Sequence, residues 1–198
     1  APLLKKHNFG ATFFPCRFSD DWRSKHEEYL LSGNELKQLY DMGFEIGNHT
    51  WTHGLPASNE QALAYEIDEL TTFLKQHGIP APVSFAYPGG PYAAHAVKAL
   101  IARGFQCART TEKRPWLIGA DDPMRVPAYA ISKNDRVGFY EAIHQCTSDN
   151  TVVLVFHGIP DIVHPWCTNE PQLFQEMMEF LATEQFRVIS MQEAMTAK

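Results

Sequence analysis

Short β-rich runs alternate with stretches of helical period along almost the whole chain, and this alternation constrains the fold more than any other feature. The runs are Phe9–Phe14, Phe44–Asn48, Val83–Tyr87, Phe105–Arg109, Arg125–Tyr129, Thr151–His157 and Phe186–Ser190. Most of the intervals between them are helical in pattern. Residues 60–76 place Leu63, Ile67, Leu70 and Leu74 on one face, opened by Ser58-x-x-Gln61 as a capping box and closed at Gly78. Ser32-x-x-Glu35 opens a second helix that ends at Gly43. Ala94–Arg103 ends at Gly104, Pro171–Glu184 carries Leu173, Met177, Phe180 and Leu181, and Ser190-x-x-Glu193 starts a short last helix. Strand, helix, strand with short links implies parallel strands with helices packed outside. The expected fold is therefore α/β, a (β/α) barrel of about seven parallel strands in a single domain over residues 1–198.

The opening APLLKKHN reads as the last turns of a helix. A helix that short is marginal alone, and in a parallel barrel a strand precedes each helix. The domain is thus expected to be incomplete at its N-terminus, with an unpaired edge beside Phe9–Phe14.

Bulk properties exclude several classes. A net charge of −6 disfavours a broad nucleic-acid surface. The longest apolar run, Val152–Phe156, is far too short to span a bilayer. No signal-peptide core is visible in the sequence. Neither G-x-G-x-x-G nor G-x-x-x-x-G-K-[ST] occurs, so dinucleotide and P-loop readings lack support. The cysteines, Cys16, Cys107, Cys146 and Cys167, form no C-x-x-C pair. Free core thiols are expected, with two disulfides as the alternative for a secreted protein.

In parallel α/β folds, function collects at the C-terminal ends of strands. His49 and His53, in GNHTWTHG, follow the second run. At i and i+4 of one helical turn their rings would share a face and could hold one metal ion, or they cap loop backbone groups. His157 ends TVVLVFH and suits proton transfer, or is a histidine bonded to a carbonyl. Tyr87, Pro88, Gly89 and Gly90 form a tight turn after VSFAY, either plain or approaching a ligand through backbone N–H groups. Trp22, Trp51, Trp116 and Trp166 all fall in loops predicted to follow strands. One or two of them would contact a ligand and the rest would pack. Asp20 and Asp21, in RFSDDW, read first as a solvated turn and second as a source of metal carboxylate.

Taken together, His49-Thr-x-x-His53, then FAYPGG, then a strand ending in His157 resembles the polysaccharide deacetylase family, the NodB-homology domains of carbohydrate esterase family 4. LLKKHNFGATFF, VKALIARGFQCART and FRVISMQEAM extend the likeness over nearly the whole chain. The resemblance implies a distorted barrel and a divalent metal, commonly zinc, with cobalt or nickel also suited. It implies His49 and His53 as metal ligands, Thr50 as an orienting residue and His157 as general acid. It implies Tyr87, Pro88, Gly89 and Gly90 as a groove wall and Trp166 as a sugar contact. The reaction implied is removal of N-acetyl or O-acetyl groups from a polysaccharide or peptidoglycan-type amino sugar, in an extracellular or envelope setting. The alternative is a non-catalytic carbohydrate-binding relative. The family's Asp-Asp motif, which supplies the catalytic base and a metal ligand, does not occur in this sequence, nor does the arginine often found in the tight turn. That leaves two protein ligands where catalytic zinc sites usually have three.

Overall fold

The computed structural model of the chain describes residues 1–196. Its elements run α1 (Pro2–Lys6), β1 (Thr12–Phe13), α2 (Asp20–His26), α3 (Gly33–Asp41), β2 (Glu45–Ile46), α4 (Glu60–Gln76), β3 (Ser84–Ala86), α5 (Ala94–Ala102), β4 (Cys107–Arg109), β5 (Tyr129–Ala130), α6 (Arg136–Ile143), β6 (Leu154–Val155), α7 (Pro171–Thr183) and α8 (Met191–Thr196). The strands pair in parallel as β1 with β2, β3 with β4 and β5 with β6. Single parallel bridges, Asn48 to Phe85 and Arg109 to Val126, join the pairs into one arc in chain order.

The expectation of seven long strands in a closed barrel is corrected here. The ladders are two or three residues long, and Phe186–Ser190 forms no strand. That segment meets the edge beside the first run through one backbone bond, Gly10 N–H to the Val188 carbonyl at 2.9 Å. Among the described residues no ladder closes the arc between β6 and β1. β-branched and aromatic content makes a segment extended, but only a partner in register makes it a strand.

The helices form where caps and apolar stripes placed them. Ser32 and Glu35 make both bonds of the capping box, and Glu193 and Ser190 exchange the same pair at α8. At α4 the cap is Asn59, whose side chain accepts from Ala62 N–H at 3.0 Å, rather than the expected Ser58. The stripe Leu63, Ile67, Leu70 and Leu74 is buried as expected. Gly78 and Gly104 take positive φ just past α4 and α5, where a side chain would be strained. Two helices fall outside the expected set: α2 starts inside the loop RFSDDW, capped by Ser19, and α6 is capped by Asp135.

The core lies between the arc and its helices. Leu36, Ile46, Leu70, Leu74 and Ile79 seal one side, while Phe85, Tyr87, Leu100 and Phe105 pack another. Glu45 ties the N-terminal side of the arc together. It accepts from Thr12 and Ser84 hydroxyls on the flanking strands and from Gln192 N–H of α8 at 2.9 Å. With that edge closed by structural bonds, the opposite, C-terminal edge is free to carry polar residues.

Candidate functional site

His49 and His53 stand beyond the end of β2, with ring centroids 4.8 Å apart and planes at 73°. They do not lie on a helical turn, as the spacing had suggested. Thr50 and His53 have φ of 67° and 65°, so the chain turns through two left-handed residues. Such conformations cost on the order of 1 kcal/mol each in a residue with a Cβ and persist only where neighbours hold them. Asn48 supplies part of that hold. Its side-chain carbonyl accepts from Thr50 N–H at 2.8 Å, and its amide donates to Ile67 O at 3.0 Å and Thr71 Oγ1 at 3.2 Å on α4. Glu66 of α4 supplies the rest, accepting from the backbone N–H (2.7 Å) and hydroxyl of Thr52. Arg17 N–H reaches Trp51 O at 2.7 Å from the loop after β1. Gly47 is needed because the Phe14 ring occupies the space a Cβ would fill.

His49 Nδ1–H donates to Ala86 O at 2.8 Å on β3. That bond fixes the tautomer and leaves Nε2 with a free lone pair, the state a metal ligand needs. Burial, then the Arg109 charge, push the His49 pKa down to about 3. His53 is lowered by burial first, then by His164, His157 and Arg109. His157, beyond β6, is lowered by burial and then Arg109, while Asp161 pulls it upward. The three imidazoles therefore occupy one locale and are neutral at pH 7.

The other expected site residues divide. Tyr87 is fully buried and its hydroxyl donates to Met124 O at 2.8 Å, so its ring is core and cannot line a groove. Gly90 N–H is used by Tyr87 O at 3.0 Å and Thr111 packs over the residue. Pro88 and Gly89 alone of that turn reach the surface. The tryptophans do not form one set. Trp116 is buried beside Thr151, and Trp51 packs edge-on to Phe73 at 5.8 Å. Trp22, on α2, stacks with His164 at 5.6 Å and 6°, and Trp166 meets His164 edge-on at 5.2 Å. Phe18 joins this group to His53 at 5.7 Å. An aromatic wall thus runs from the exposed Trp166 to the histidine pair. Asp161 holds His164 through the His164 N–H at 2.8 Å and Nδ1 at 3.2 Å. Asp20 and Asp21 lie in the first turn of α2, exposed, with Asp20 paired to Arg23. Sequence reasoning missed Arg109, Phe18 and Glu66. Arg109, the last residue but one of QCART, sat in view but its burial did not.

Among the described residues no three His, Cys, Asp or Glu side chains converge as a metal site. The two imidazoles beside a buried arginine therefore do not by themselves fit a divalent cation. They offer two neutral donors and no balancing carboxylate.

The sequence matches the family model for polysaccharide deacetylase over residues 1–108. The chain belongs to the polysaccharide deacetylase family. Solved structures with the same fold include a CE4 family pseudoenzyme from Bacillus anthracis, 16% identical with a TM-score of 0.62, covering 98% of this chain and 58% of that one. The Bc1960 peptidoglycan N-acetylglucosamine deacetylase is 18% identical with a TM-score of 0.66, covering 100% and 80%. A family 4 acetyl xylan esterase from Clostridium thermocellum, in complex with a cobalt ion, is 16% identical with a TM-score of 0.63, covering 98% and 81%. The chain thus spans little more than half the length of the Bacillus anthracis relative. No curated protein matches it significantly in sequence. Among the described residues no helix of this deacetylase-family chain is long and apolar enough to cross a membrane.

Proposed function

We propose that the chain acts as a carbohydrate deacetylase, hydrolysing N-acetyl or O-acetyl groups on a polysaccharide or peptidoglycan-type amino sugar. The observation that carries this reading is the gathering of His49, His53 and His157 at the C-terminal edge of a parallel arc. His157 is assigned the proton that the leaving nitrogen or oxygen takes up. An amine departs poorly without one, and general acid catalysis of this kind contributes about 10²–10⁴-fold. Asp161 supports that role by favouring the protonated ring against burial and Arg109. Pro88, Gly89 and Trp166 are assigned to the sugar, Trp166 because it is exposed at the outer end of the aromatic wall. His49 Nε2 and His53 are the two donors assigned to a divalent ion, zinc first and cobalt or nickel next. The described residues do not supply the further donors that a catalytic site of this kind needs. The extracellular or envelope setting follows from the same reading.

A second reading is favoured by the lack of a converging carboxylate among the described residues: a carbohydrate-binding relative without activity. Acetate release from chitin oligomers and from acetylated peptidoglycan, with and without a chelator, separates the two. The deacetylase reading expects release that the chelator abolishes, and a fall of about 10²-fold or more in the His157→Ala variant. No release, with sugar binding retained, establishes the binder.

A further inference from the structure

The chain between Arg17 and Leu31 leaves the body of the fold after β1 and returns just before α3. Its neck is tied. The Arg17 guanidinium donates to Leu31 O at 2.8 Å and rests on the Phe73 ring of α4 at 5.0 Å. No residue from 17 to 32 is buried. Inside this excursion the bonds are local: Ser19 caps α2, Ser24 Oγ donates to Asp21 O at 3.0 Å, and His26 Nδ1–H donates to Trp22 O at 2.9 Å while stacking on Trp22 at 4.4 Å. Among the described residues one hydrogen bond joins residues 17–31 to the rest of the fold, Arg17 N–H to Trp51 O, and it sits at the neck. A surface loop closed at its ends and packed on its own side chains opens as a unit more readily than a core element.

Beyond the neck, two rings and one cation hold the excursion down. Trp22 lies parallel to His164 at 5.6 Å and 6°, Phe18 meets His164 at 5.8 Å and His53 at 5.7 Å, and Arg23 stands over Trp51 at 5.8 Å. The His164 side of these contacts is fixed. Asp161 accepts from the His164 backbone and ring, and its own N–H donates to Thr168 Oγ1 at 2.8 Å. The movable partner is therefore the excursion. Phe18, at its start, has a φ of 60°, a left-handed conformation that an aromatic residue adopts only at a cost. Trp22 follows β1 and His164 follows β6, so their stack spans the seam where no ladder closes the arc among the described residues.

We infer that residues 18–31 form a lid, hinged at Phe18 and Ser32 and latched shut by Trp22 on His164. Ser32 is a fixed point because it caps α3. Opening relieves the Phe18 backbone, parts Trp22 from His164 and turns the seam into a cleft running past His53 and His157 to Trp166. A polymer lies across such a cleft with both of its ends outside, and the closed lid bars that path. Only the polymer rests on the deacetylase reading; the motion does not.

The test is NMR on the whole chain without ligand, so its result stands apart from any assay of acetate release. Relaxation dispersion is expected at the amides of residues 18–31, the Trp22 indole N–H and the His164 ring, with one shared rate in the microsecond-to-millisecond range of lid motions, while α4 stays flat. Trp22→Ala is expected to abolish the dispersion at His164 and to speed amide hydrogen exchange in α2 by about tenfold, the most that one aromatic pair contributes, with α4 unchanged. His164→Leu removes the latch from the other side. It should reproduce the faster exchange, and it carries the test should Trp22→Ala not fold. Unrelated rates among the amides of 18–31 would reveal a fraying helix, and flat profiles a fixed one; either overturns the lid. So does exchange in α2 that neither variant speeds, or that rises equally in α4.

Discussion

Asn48 is the residue on which the geometry of the histidine pair turns. It is wholly buried and satisfies three polar groups at once, on Thr50, Ile67 and Thr71. Replacement by alanine strands Thr50 N–H, while Ile67 O and the Thr71 hydroxyl keep each other, and a stranded buried group costs about 1–3 kcal/mol. The expected outcome for Asn48→Ala is a loss of about 1–3 kcal/mol in urea unfolding, with altered His53 imidazole NMR shifts. Unchanged imidazole shifts would show that the loop holds itself. The cysteines give a second test at this scale. All four are free; burial raises Cys16 to about 12 and Cys107 to about 11. A raised pKa leaves less thiolate at a given pH, so the reactive form grows only as pH climbs towards those values. At pH 8, Cys16 should react with iodoacetamide about three orders of magnitude more slowly than a thiol at the ordinary 9.0. Mass spectrometry of the alkylated peptides reads this directly. The histidines were legible as single residues because H-x-x-x-H and a strand-final histidine are sequence patterns. Arg109 was not, since nothing in QCART distinguishes a buried arginine from an exposed one.

The strands and helices were legible to different degrees. Caps and apolar stripes are local, so α3, α4, α5, α7 and α8 lie within a residue or two of their expected bounds. The cap of α4 was misassigned by one position, and this is testable. Asn59→Ala should cost about 1 kcal/mol, because its side chain caps Ala62 N–H. Ser58→Ala should stay within about 0.5 kcal/mol. Equal losses from both, in matched thermal or urea melts, would return the capping role to the pair. α2 was hidden because RFSDDW carries turn-forming residues. Its Ser19 cap and the acidic residues of its first turn serve a helix start equally well. The expectation for strands failed at their lengths. Arg125–Tyr129 became a short turn and the start of β5, and Thr151–His157 kept only Leu154–Val155 in a ladder. Extended propensity exceeded the pairing available.

At the scale of the whole molecule, the arc sets one edge for stability and the other for chemistry. Glu45 and α8 close the first, while His49, Arg109 and His157 collect at the second. The charge balance of that second edge leads to a prediction about metal. Two neutral imidazoles near a buried guanidinium should hold zinc poorly, so elemental analysis after dialysis is expected to find well under one zinc per chain. Stoichiometric zinc in the present chain would show that its own residues complete the site. By itself the sequence determined the family, the alternating α/β order, the helices with local caps and the identity of three histidines, because each is written in short-range pattern. Only the tertiary structure decided that the histidine pair converges through left-handed loop residues stapled to α4, that Tyr87 and Trp116 are core, and that Arg109 is buried with no acid paired to it among the described residues. Those outcomes depend on which surfaces are excluded from water and which charges are brought together, and no linear spacing records either.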